Sequence, residues 1–559
     1  MNTHHHAFRD VAERQDWGRS RLASCGRFAA FCLLLSAFCL SAAAQDSEHG
    51  AAEAWGELHV TITDHGTQKP VAAVCYLTDP TRQFWSPVGA VNYVKPPERD
   101  FATPGEFRIA LPPRKYTLVV ERGPEYAGVT REILIASGEA REEKIELKRW
   151  INMNARGWFS GDLHNHRDWR EMPTLLLASD LNLAPTLTEW IWADSPNSRA
   201  PEARGEPLPA VHEVDATHAY SIFDTEIERL QDGPGAIDLV GLRAPVPFHG
   251  YLVYPPDNEF TTAARRLGGY VDAEKITWRD GAALAALGQI DFAGVVHNHF
   301  NRHGVDTETA PWGMIPKDSP EYDTPEGMAL WTLAVYYRLL NCGFRLPVSA
   351  GSASGVKPSP LGFDRVYVHI PGKFSYADWF RALKAGRSFA TNGPMLFLTA
   401  NGREPGGVVV FPEVKSGKAS RHSLHVRVEA SSSRDLDRVE IVWKGKVIKT
   451  LAPATGPAQV TGDFDFEPDV TGGLAARAFE KPGATVHFAA TSPVYVQVGT
   501  SRGVVSDDAR YFVGVMDQEL KFYQSYQGFR SDADRQSMVE LFRRARAVYE
   551  RLAGGQEKP

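Results

Sequence analysis

Two histidines one residue apart, His164 and His166, end the segment Gly157-Trp158-Phe159-Ser160-Gly161-Asp162-Leu163-His164-Asn165-His166. In an extended chain alternate residues share a face, so the two imidazoles stand side by side. Neutral imidazole is the commonest protein ligand for divalent ions, and a pair at this spacing can chelate one. A bare His-x-His is more often a surface pair. Here the pair closes an apolar strand, and four later apolar stretches end in similar chemistry. Leu183–Leu187 runs into Thr188-Glu189-Trp190, and Ala219–Phe223 into Asp224-Thr225-Glu226. Gly269-Tyr270-Val271 runs into Asp272-Ala273-Glu274-Lys275, and Phe292–Val296 into His297-Asn298-His299. Any one of these carboxylates alone reads as a helix cap. Their convergence predicts a divalent-metal site at a ring of strand ends. Arg167 and Lys275 are the cations best placed to face an anionic substrate, against the ordinary alternative of solvated surface charge.

The elements that must position this ring follow from periodicity. Residues 153–396 alternate short apolar strands with helical stretches (Thr261–Arg266, Gly281–Leu287, Ala377–Ala385), which predicts parallel strands with crossovers and, at this length, a (β/α) barrel. Residues 56–150 alternate in the manner of half-buried strands, as in Leu58-His59-Val60-Thr61-Ile62, and predict an N-terminal β-sandwich. The same alternation returns over 397–515 (Leu424–Val428, Val439–Trp443, Val494–Val498) and predicts a second one. Residues 516–559 carry an apolar stripe at three- and four-residue spacing, a C-terminal helix and tail. The expectation is thus a multidomain chain: a central α/β barrel, TIM-like, flanked by two β-sandwich domains and a C-terminal helical segment.

The remaining 1–55 reads as a leader. Arg19, Arg21 and Arg27 precede an apolar run, Phe28–Leu40, that ends in Ala42-Ala43-Ala44, so 1–44 is expected to be a cleaved signal peptide and 45–55 a linker. The protein is then exported, periplasmic or extracellular, with no membrane span after cleavage. Three of the five cysteines (Cys25, Cys32, Cys39) fall in the leader, leaving Cys75 and Cys342 as two expected buried thiols. A composition of 43% hydrophobic residues argues against wholesale disorder, and a net charge of -7 without a run of Lys and Arg gives no basis for binding nucleic acid.

Gly161-Asp162-Leu163-His164-Asn165-His166 resembles the Gly-Asp-x-His-x-His opening of the polymerase and histidinol phosphatase (PHP) superfamily, most of all its CehA/McbA-type metallohydrolase branch. Leu340–Pro347 before Ser349-Ala350-Gly351-Ser352, and Ala382–Pro394, are similar to later motifs of that branch. The N-terminal region is likewise similar to the carboxypeptidase regulatory-like accessory domain. The resemblance implies a PHP-like barrel that hydrolyses phosphate esters or related esters with one to three divalent ions. It implies metal ligands at His164, His166, Glu189, Glu226, Glu274 and His299, with Glu226 or Glu274 also available as the catalytic base. His297 stands second to His299 and joins Arg167 and Lys275 as a substrate contact.

The chain departs from that family at Gly351-Ser352-Ala353-Ser354-Gly355, where Gly-Ser-Asp-x-His is usual, so Ala353 and Gly355 replace two ligands. Trp190 stands for another histidine. Fewer ions than a trinuclear site are therefore expected, of zinc, manganese or iron. Two functions follow as expectations. One is a secreted hydrolase of small-molecule or glycan-linked esters or phosphoesters, with metal-activated water as nucleophile. The other is a catalytically inactive metal-binding barrel acting as an extracytoplasmic glycan- or ligand-binding protein.

Overall fold

The computed structural model describes residues 54–200, 208–307, 319–413, 422–453 and 458–555. The expected signal peptide and nearly all of the linker lie outside these residues. Residues from Glu53 onward form one compact unit.

In the N-terminal region, Gly56–Asp64 pairs antiparallel with Glu106–Leu111 and parallel with Ala140–Arg149. A second sheet of five strands (Val91–Lys95, Glu98–Thr103, Ala73–Thr78, Arg114–Glu121, Val129–Ile135) faces it. Every second residue of Gly56–Asp64 is buried, and Leu58, Val60, Ile62, Phe101, Tyr116 and Leu118 meet in one apolar core. Burying one side of each pleat is what that alternation is for.

The centre differs from the sequence expectation. Strand makes up 40% of the structure and helix 20%, and the central strands do not close into a (β/α) barrel. They belong to one mixed sheet of 17 strands. Trp158–Gly161, Leu183–Trp192 and His218–Arg229 run parallel, as do Tyr270–Ala273, Phe292–His297 and Val348–Gly351. Between these groups Gly235–Val240 lies antiparallel to both neighbours, and Arg365–His369 lies antiparallel to Trp158–Gly161. The sheet then continues through Ser388–Thr391 into Phe488–Thr491, Gly472–Glu480 and Leu436–Trp443. The physical reason lies in the connections. Only Leu230–Pro234 separates His218–Arg229 from Gly235–Val240, far too short for a crossover helix, so the chain must turn back on itself. Between Leu183–Trp192 and His218–Arg229 come two short strands, Ser195–Ser198 and Val211–Asp215, where a barrel would carry a helix. A continuous apolar run reports burial on both faces and is silent about strand direction.

Helices Asn258–Arg266, Gly281–Ala286, Pro325–Asn341 and Tyr376–Lys384 cover the sheet. The C-terminal pair, Ser506–Ser525 and Asp532–Ala553, buries Phe512, Met516, Tyr523, Phe542 and Tyr549 in the same apolar core as the central strands. Met395–Ala400, Leu424–Ser431 and Gln459–Phe466 form a separate antiparallel sheet. Cys75 and Cys342 are buried free thiols. No helix among the described residues is long and apolar enough to cross a membrane.

Candidate metal centre

The His164–His166 segment is held from both sides by backbone. Leu163 N–H donates to Ala350 O (3.0 Å), Ala353 N–H to His164 O (2.8 Å), His166 N–H to Ser354 O (2.8 Å) and Leu187 N–H to Asn165 O (2.8 Å). Asp162 clamps the turn, accepting from the N–H groups of His164 (3.1 Å), Ser352 (3.0 Å) and Gly362 (2.8 Å) and from the Ser352 hydroxyl. Asn165 points the other way, donating to Pro185 O. The two histidines are thereby left on a common face, 3% and 4% exposed.

Their Nε2 atoms lie 3.0 Å apart, and Glu226 completes the group. Its Oε1 is 3.5 Å from His164 Nε2 and its Oε2 is 2.9 Å from His166 Nε2. One donor atom from each of the three residues falls within 4.8 Å of the others, so this buried group could hold a metal ion. The donor set fits such an ion on further grounds. Both carboxyl oxygens of Asp238, beside His164, are buried without a hydrogen-bond partner, and leaving such groups unmet costs about 1–3 kcal/mol each, more when charged. Two imidazoles and a carboxylate are also the mixed nitrogen and oxygen set that divalent transition ions prefer.

The surrounding charge is strongly acidic. Glu226, Asp238 and Asp272 stand directly opposite one another on three adjacent strands, a row of carboxyls whose mutual repulsion must be met by protons or cations. Burial favours the neutral ring of His164, but the Asp238 and Glu226 carboxylates outweigh it and raise its pKa well above the usual histidine value. Burial would raise Glu226, yet the His164 and His166 rings bring it down to about 2. Burial pushes Asp272 up to about 7 and, with help from Glu226 and Glu274, Glu228 up to about 8. His166, whose ring packs 5.1 Å from that of Trp190, is lowered, chiefly by burial.

The other sequence-derived candidates sit as follows. Glu274 is on the far side of His164, with Oε1 3.1 Å from Nδ1, and so lies outside the compact donor group. Glu189 is half-buried and accepts from the Ser198 hydroxyl. His297 and His299, rings 5.6 Å apart, are both buried and each has one ring nitrogen without a partner. Burial lowers both well below the usual value, with Lys275 adding to it. His299 lies outside the compact group, as do Glu189 and Glu274. Lys275 is buried against Glu274, its ammonium 5.1 Å from the Trp278 ring centroid. Arg167 is turned away, bonding Glu171 and Asn92 O and packing over Tyr93.

Position 355, one of the two where the resemblance leads one to expect a ligand, has no room for one, and Gly351 beside it is equally tight. A Cβ at Gly351 would stand 2.3 Å from His164 Cβ, and one at Gly355, whose φ is +109°, would stand 2.7 Å from the His166 carbonyl carbon. The 351–355 backbone passes directly beneath the histidines and leaves room for no ligand from position 355. Sequence reasoning missed Asp238. Its signal was an acid inside an otherwise apolar strand, Ile237-Asp238-Leu239-Val240.

No family model matches the chain, and no curated protein does. Among solved structures, the Bacillus anthracis TIE protein is similar at 18% identity over 21% of this chain and 20% of that one, with a TM-score of 0.14. The chain spans only that fifth of the TIE protein's length, and a likeness at this level carries no argument about fold or function.

Proposed function

We propose that the chain is an exported metal-dependent hydrolase of ester or phosphoester bonds, in which His164, His166 and Glu226 hold a divalent ion such as zinc, manganese or iron. The observation that carries the reading is the convergence of two Nε2 atoms and one carboxylate, from a strand end and a neighbouring strand, on one buried point. Three protein donors are the usual complement of catalytic sites, which keep a coordination position open. An ion so held supplies Lewis acidity and lowers the pKa of water. The chain's own part is to fix geometry: Asp162 and the 351–355 backbone lock the histidines, and Trp190 covers His166. The motif resemblance to PHP metallohydrolases supports the bond class, and the absence of a ligand side chain at Ala353 and Gly355 supports fewer ions than three.

The replaced ligands and the deep burial of the site also favour a second reading, a metal-holding binding protein without turnover. Full-length protein reconstituted with zinc, manganese or iron and assayed on aryl esters and aryl phosphates separates the two. The hydrolase reading expects turnover that falls to background in Glu226→Gln. Bound metal with no turnover on either substrate class overturns it in favour of the binding protein.

A further inference from the structure

His164 is crowded at both ring nitrogens. Nε2 faces His166 and Glu226, whereas Nδ1 lies 3.1 Å from Glu274 Oε1 and 3.6 Å from Asp238 Oδ2. Glu274 is itself fixed. Trp278 Nε1–H donates to its Oε2 at 2.8 Å, and the Lys275 ammonium sits on its Oε1. Asp238 reaches the ring from the middle of Gly235–Val240 and is fully buried. A neutral imidazole has one protonated and one lone-pair nitrogen, and the partner of the first decides which is which. Carboxylates at Nδ1 select the form with the proton on Nδ1. The lone pair is then on Nε2, the atom that converges with His166 and Glu226.

We propose that Glu274 and Asp238 are positioning residues for the metal centre. Glu274 takes the His164 Nδ1 proton and Asp238 adds its negative charge on the same side, which together aim Nε2 at the ion, while Lys275 and Trp278 anchor Glu274. This deepens the metal-site reading above and rests on it. It also gives Glu274 and Lys275 work other than that of base and substrate contact: both Glu274 oxygens are engaged, on the side of the ring away from Nε2. Carboxylate partners of ligating histidines raise ligand basicity as well as fixing orientation, and their loss typically weakens metal binding 10–100-fold.

Two measurements on the full chain test the proposal. The first is zinc affinity by competition with a chromophoric chelator. Glu274→Gln and Asp238→Asn are each expected to weaken binding by about 10–100-fold. Asp272→Asn is expected to weaken it less than either, because that carboxyl faces Asp238 across the sheet but is bonded to Ser349 and makes no contact with the His164 ring. Equal affinity in all of these variants overturns the positioning role and leaves the metal site standing, whereas a wild-type chain that takes no zinc removes both. The second measurement needs no carboxylate variant and decides the matter should Glu274→Gln fail to fold. In cadmium-loaded protein with isotope-labelled histidine, the His164 signal, assigned by its loss in His164→Gln, is expected to show metal coupling at Nε2 and a proton on Nδ1. Metal coupling at Nδ1 overturns the proposal.

Discussion

The backbone around His164 is hydrogen-bonded on both sides, and the glycines beneath it are part of that constraint. Restoring the histidine of the PHP pattern with Gly355→His is therefore expected to add no ligand. Position 355 has φ of +109°, and its Cβ would meet His166 backbone atoms at 2.7 and 2.8 Å. Left-handed strain and overpacking together are expected to cost about 2–4 kcal/mol, read as a lower denaturation midpoint with weakened metal retention. At this scale much of the site was legible. His164 and His166 follow from pleat spacing, and Glu226 from its place in the Asp224-Thr225-Glu226 run that follows the apolar stretch Ala219–Phe223. Glu189 was read as a ligand on the same logic. The strand pairing carries register irregularities between Pro185 and Glu189, and such bulges re-aim a side chain in a way that alternation cannot forecast. Asp238 was missed because reasoning from strand ends passes over an acid in mid-strand.

The strands around the donors are held in place by their neighbours. Phe488–Thr491, which joins the central strands to the C-terminal ones, is preceded by His487, whose Nδ1 pairs with Asn392 O at 2.8 Å. Burial depresses this histidine to about 4 from an ordinary 6.5. The unfolded chain then takes up the proton first as the pH falls. The contribution of His487 is fully present above about pH 6.5 and is lost as the pH falls toward and through about 4, amounting to up to about 3 kcal/mol. Unfolding measured at several pH values is expected to be less acid-sensitive over that window in His487→Asn than in the parent; identical slopes would contradict this account. Element type was largely readable: the stretches read as helical, Thr261–Arg266 and Ala377–Ala385, fall on the helices Asn258–Arg266 and Tyr376–Lys384, and the alternation of Leu58–Ile62 falls on the strand Gly56–Asp64. Strand direction was not. The barrel expectation needed every central connection to be a crossover, and the short Leu230–Pro234 turn reverses the chain instead.

On the scale of the molecule, borders drawn from sequence patterning are not borders in packing. One apolar core runs from Leu163 and Val295 through Phe479 and Phe488 to Phe512 and Tyr549, and another joins Ala72, Val74 and Ala102 to Met172 and Leu176. Polar bonds cross in the same way. Arg302 pairs with Glu121 at 2.6 and 2.9 Å, and the Tyr93 hydroxyl accepts from Gly355 N–H at 3.1 Å while donating to Lys357 O. The N-terminal sheets thus brace the 351–357 segment that supports the histidines, so the candidate metal centre is best measured in the whole folded chain. The most direct measurement is elemental analysis of the full-length protein after equilibration with zinc, manganese or iron and exhaustive dialysis. The account expects the parent chain to retain a tightly bound ion and His166→Ala, equally folded, to lose it. A parent chain that retains none of the three metals, or a variant that retains as much as the parent, would contradict it.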